Sequence, residues 1–165
     1  MKQYSNIIAK LLLVAIAACF ALIVSAQSGG IKESIDSKTF VFKAQTSIPS
    51  GNGNQQLSPG YELVLKGTSI DAYLPYFGRA YSPPVDPTAS GIKFMSQNFE
   101  YNATGRKGGG WDVVIRPKDV TDIRELLLTV FDNGNATLVV NSDRRSPITF
   151  NGIVQSYAPK PKAAK

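Results

Sequence analysis

Apolar side chains recur at every second position in short runs along this chain, and each run ends at glycine, proline, asparagine or aspartate. A period of two is the spacing of one face of a β-strand, whereas a helix face needs 3.6. Phe40 and Phe42 oppose Val41 and Lys43; Tyr61, Leu63 and Leu65 share a face; Phe99 and Tyr101 share another; and Trp111, Val113 and Ile115 oppose Asp112, Val114 and Arg116. Strands are expected at 39–44, 61–66, 69–74, 92–96, 98–102, 111–116, 126–131, 136–141 and 148–155. Asp132-Asn133-Gly134-Asn135 is the strongest hairpin signal, because an Asn-Gly step supplies the positive φ of a tight turn. Helical turns are expected only at Ile31–Ser37 and Asp119–Glu125, the latter with acids placed early as the helix dipole prefers.

Eight or nine hairpin-joined strands make an antiparallel sheet that must shelter its edges. A closed barrel removes them, and a two-sheet sandwich is the alternative. The absence of a long crossover favours an all-β antiparallel barrel. Its expected core includes Phe94, Phe99, Trp111, Leu126, Leu128 and Phe150.

The 165 residues, 43% hydrophobic and 18% charged, suit one domain. There is no histidine and one cysteine, which excludes Ser-His-Asp and Cys-His catalysis, imidazole zinc sites, an internal disulfide and iron–sulfur clusters. No cofactor and no metal are expected, no catalytic residue is singled out, and the balance leans away from an enzyme.

Residues 1–26 read as a secretory signal peptide. Lys2 and Lys10 precede the 14-residue apolar run Leu11–Val24, and Val24-Ser25-Ala26 supplies a cleavage site between Ala26 and Gln27. The run falls short of the ~20 apolar residues that span a bilayer. Cys19 loosely resembles a lipobox cysteine, but Phe20–Val24 continue the apolar run, so it reads as a small hydrophobe of the signal core and not as a lipid anchor. The expected destination is the periplasm or cell envelope, the outer surface or the medium, with membrane contact only through the signal peptide. The expected division is a lead-in at 27–38, one β domain at 39–157 and a disordered basic tail at 158–165. Without Lys2, Lys10, Lys160, Lys162 and Lys165 the body holds 13 basic and 12 acidic residues, so no nucleic-acid partner is expected.

The block Leu74-Pro75-Tyr76-Phe77-Gly78-Arg79-Ala80-Tyr81, with Arg145-Ser146-Pro147-Ile148 and the opening Phe40-Val41-Phe42-Lys43-Ala44, resembles a family of small exported bacterial proteins, domain of unknown function family 4251. The resemblance runs from about Phe40 to Gly152. It implies a lipocalin-like antiparallel barrel and export, and it implies no reaction or ligand.

Tyr73, Tyr76, Phe77 and Tyr81, with Arg79 among them, lie within nine residues where Pro75 and Gly78 turn the chain out of a strand. On a loop at a barrel mouth the rings can stack on a glycan or another small apolar ligand while Arg79 pairs an acid; the plainer reading, since aromatic side chains usually serve cores, is that they fold back as a plug with Arg79 paired to an acid. Arg144 and Arg145 form a second candidate for an anion, or a solvated turn in which one pairs Asp143. The expected partner is thus a small apolar or glycan-like ligand or an envelope protein. Glu62, Glu100 and Asp112 on polar strand faces keep open a carboxylate-dependent hydrolase acting on an envelope polymer. Gly105–Gly110 lacks the ending of a phosphate loop and reads as a hairpin tip.

Overall fold

The computed structural model describes residues 30–51, 53–78 and 91–157. The segment expected to be a signal peptide, with Cys19, and Arg79, Tyr81 and the basic tail lie outside them. A seven-residue helix α1 (30–36) is followed by ten strands: β1 (Thr39–Pro49), β2 (Gln55–Gln56), β3 (Glu62–Lys66), β4 (Ile70–Leu74), β5 (Ile92–Ser96), β6 (Phe99–Gly105), β7 (Trp111–Pro117), β8 (Ile123–Val130), β9 (Asn135–Ser142) and β10 (Ile148–Ser156).

All pairings are antiparallel, and the strand order is β5-β4-β3-β1-β10-β9-β8-β7-β6, with β2 added to β1. The two ends of this order, β5 and β6, are separated in sequence by Gln97 and Asn98 alone. Three peptide steps reach at most about 11 Å, so the sheet curls until its ends meet at that corner. The result is a nearly closed barrel of nine strands, as the alternation of the sequence requires, and not a sandwich. Asp119 secures the corner: its carboxylate accepts hydrogen bonds from Ser96 Oγ (2.5 Å) and from the amides of Gln97 (2.9 Å) and Asn98 (3.1 Å).

That use of Asp119 explains one correction. Asp119–Glu125 is not helical; residues 118–122 bend and β8 begins at Ile123. The acids expected to cap a helix are spent across the barrel instead, Asp119 on the β5–β6 corner and Asp122 on Ser142 and Arg145. The Asn-Gly hairpin forms as expected, with Gly134 at φ 83° between β8 and β9.

The inward faces pack solid. Phe40, Phe42, Leu63, Leu65, Ile70, Leu126, Leu128, Leu138 and Phe150 are fully buried, each large side chain contributing roughly 1.5–3 kcal/mol. Of the expected core, Phe94, Phe99 and Trp111 are only partly buried and pack against its margin. Helix α1 covers one end of the barrel through Ile31 and Ile35. Tyr101 on β6 donates to the Ile35 carbonyl at 2.8 Å. Burial, reinforced by the Asp36 carboxylate, pushes the Tyr101 phenol well above its ordinary range, so it stays a neutral donor.

Candidate functional site

The expected site residues separate into two places. At the end of the barrel opposite α1, Leu74 leads out of β4 through the buried Pro75 to Tyr76. Tyr76 donates its hydroxyl to the Ser146 carbonyl at 3.0 Å, and the Arg145 guanidinium lies over its ring, 5.2 Å from the centroid. Arg145 also donates to the Gly91 carbonyl at 2.6 Å and pairs with Asp122 at 2.9 Å. One fork-shaped cation thereby ties together the β4–β5, β7–β8 and β9–β10 connections, a task for which its planar donors are suited. Ser142 adds to the knot by donating to Asp122 at 2.8 Å while accepting from the Arg144 and Arg145 amides. The Arg144 residue is exposed, and Asp143 faces Arg124 at 3.7 Å, not Arg145. Phe77 is exposed beside this knot.

Tyr73 is elsewhere. It points outward from β4, 51% exposed, and stacks on Tyr61 with ring centroids 5.4 Å apart. Tyr61 lines a cleft of about 460 Å3 on the outer wall, within the ~300–1,000 Å3 usual for ligand sites. Local sequence builds this cleft. Between Ala44 and Thr46 the β1–β10 register slips by one, so Gln45 is a bulge, the kind of irregularity that bends a strand. The Gln45 carbonyl then accepts from the Leu57 amide at 2.8 Å, which folds the segment 57–60 back beside β1. Leu57, Tyr61 and Ile153 give an apolar floor; Lys43, Gln45, Gln56 and Glu62 give a polar rim. Sequence reading named Tyr73 only within the aromatic block and Glu62 only as a polar-face acid, and it missed the cleft itself, because the lining is dispersed over β1, β2, β3, β10 and a loop. The loop of glycine, asparagine, glutamine, serine and proline at Pro49–Gly60 was the available cue.

A second cleft of about 400 Å3 lies between the start of α1 and the β8–β9 turn, lined by Ile31, Gly134, Val154 and neighbours. The acids considered for hydrolysis do not gather. Glu100 is bonded to Lys118 at 2.9 Å, which holds its carboxyl below the ordinary range; Asp112 faces Arg106 at 3.5 Å and accepts from Thr129 at 2.9 Å. Glu62 is the only acid in the described lining of the larger cleft. Among the described residues no group of three metal-ligating side chains converges, and no helix is long and apolar enough to cross a membrane.

The family model of a domain of unknown function, DUF4251, matches residues 25–154. The chain belongs to the DUF4251 family. A crystal structure of a DUF4251 family protein from Bacteroides eggerthii is similar to it over 79% of this chain and 88% of that chain, at TM-score 0.62 and 12% identity. This DUF4251 domain therefore shares the barrel fold of that relative, with few side chains in common. No curated protein matches it. The Tyr76–Arg145 knot joins two of the three blocks through which the sequence resembles the family, through Tyr76 of the first and Arg145 and Ser146 of the second.

Proposed function

We propose that this DUF4251 protein is a non-enzymatic binding barrel, exported behind its N-terminal segment to the bacterial cell envelope, and that it takes its ligand on the outer wall. The observation that carries this reading is the cleft beside the β1 bulge, set against an interior packed with large apolar side chains. A lipocalin-like mode, with the ligand inside the barrel, has no support from so filled a lumen. The hydrolase reading needs two carboxylates flanking one bond, about 5–10 Å apart. Glu62 is the only acid in the described cleft lining, while Glu100 and Asp112 are held in ion pairs.

The Tyr76–Arg145 knot is read as structural, since Arg145 already serves a carbonyl, a carboxylate and a ring. Native mass spectrometry of the exported protein after incubation with envelope extract from its own source tests the assignment. Wild type should retain a non-protein mass, Tyr61→Ala should lose it, and Tyr76→Ala should keep it while lowering the unfolding temperature. Bare wild-type protein, or loss confined to Tyr76→Ala, would overturn the outer-wall reading.

A further inference from the structure

We infer that the outer-wall cleft is built for a neutral saccharide, one pyranose ring lying against the Tyr61–Tyr73 shelf. This rests on the proposed role of the cleft as the binding site and names its ligand class. Three features of the cleft and of the Tyr73 ring stacked on its lining residue Tyr61 carry it.

The first is the shelf. Tyr61 and Tyr73 lie 5.4 Å apart at an interplanar angle of 28°, and Tyr73 is 51% exposed on the outer wall. An aromatic ring presents a negative face, and the polarised C–H groups on one side of a pyranose are attracted to such a face. A tyrosine also carries a hydroxyl at its wet edge, where the sugar's own hydroxyls lie.

The second is the balance of charge. Lys43 and Glu62 are direct register partners on β1 and β3, and both line the cleft. Among the described residues neither engages in an ion pair with the other or with a third group. A phosphate or carboxylate ligand would meet Glu62, and a cation would meet Lys43; like charges placed face to face oppose binding. A neutral ligand meets no such penalty and uses both groups.

The third is the pattern of hydrogen-bonding capacity. Lys43 only donates, ionised Glu62 only accepts, and the amides of Gln45 and Gln56 do both. A sugar hydroxyl donates one proton and accepts at two lone pairs, so neighbouring hydroxyls on one ring can satisfy a donor-only and an acceptor-only group side by side. Lys43 and Gln45, two apart on β1, share its exposed face, and both line the cleft with Gln56 and Glu62, which brings these capacities to one rim.

The test is an NMR titration of the full exported chain, following backbone and side-chain amides, with a panel of neutral trisaccharides: maltotriose, cellotriose, mannotriose and the N-acetylglucosamine trimer. Inorganic phosphate and the zwitterionic dipeptide Gly-Gly are run beside them. At least one trisaccharide should shift resonances of Gln45, Gln56 and residues 61–62 and 73, and leave those of the β7–β9 wall unmoved. Tyr73→Ala and Gln45→Ala, both exposed positions that leave the core intact, should each weaken that binding about tenfold or more, equivalent to ~1.4 kcal/mol. Shifts at the same residues from phosphate or Gly-Gly but from no trisaccharide would overturn the saccharide class while keeping the cleft as a site. No shift at these residues from any probe would overturn both.

Discussion

At the scale of single residues, Gly152 and Arg145 decide how neighbouring segments of the barrel are held together. Gly152 faces the β1 bulge, and a Cβ placed there would run into the backbone of Lys43 and Ala44. The obstacle is main chain, which cannot rotate aside, so Gly152→Ala should part β1 from β10 and cost about 1–3 kcal/mol. The urea midpoint measures it, and an unchanged midpoint would show that the two strands are not pressed together. Arg145 is the other case. It is 20% exposed and bonded to Gly91, Asp122 and the Tyr76 ring. Arg145→Ala should destabilise the fold by about 1.5–3 kcal/mol, the range for hydrogen bonds to charged groups. Arg145→Lys should recover little, because one ammonium cannot reach a carbonyl and a carboxylate while lying flat on a ring. Full recovery with lysine, read by thermal unfolding, would reduce the knot to simple charge pairing.

At the scale of elements, period-two alternation made the inward faces legible in advance. Phe40, Phe42, Leu63, Leu65, Leu126, Leu128 and Phe150 are buried where the pattern places them. The Asn133-Gly134 turn was legible for the same local reason, a required positive φ. Segment 119–125 was misread because its acids act across the barrel, and nothing in the local sequence reveals a partner about twenty residues away. The bulge at Gln45 and the two-residue β2 were equally hidden, since a register slip depends on the neighbouring strand. The β5–β6 corner gives the prediction at this scale. Hydrogen bonds from Ser96 and from the Gln97 and Asn98 amides hold the Asp119 carboxyl below its ordinary range. A carboxylate with a lowered folded pKa adds stability that is present above its unfolded value, about 3.9, and is lost as pH falls through the folded value. Asp119→Asn should therefore be less stable than wild type at neutral pH, and the gap should shrink below about pH 4. Chemical unfolding across pH measures this, and a gap independent of pH would mean that the charge is not what closes the corner.

At the scale of the whole molecule, a barrel was readable from strand number and hairpin connections, but where a ligand would sit was not. The conspicuous aromatic block suggested a mouth, whereas the structure divides it. Tyr76 joins Arg145 in a closing knot, and Tyr73 turns to the outer wall beside Tyr61. The near-neutral body and the filled lumen are what turn the proposed binding site to the cleft on the outer wall. The central claim is that binding happens on that wall. Amide hydrogen exchange on the full chain, with and without envelope extract from its own source, tests this most directly. The account predicts added protection in residues 43–62 and at Tyr73, with β8 and β9 unchanged. Protection centred instead on β8 and β9, or on the loops around Tyr76 and Arg145, would contradict it.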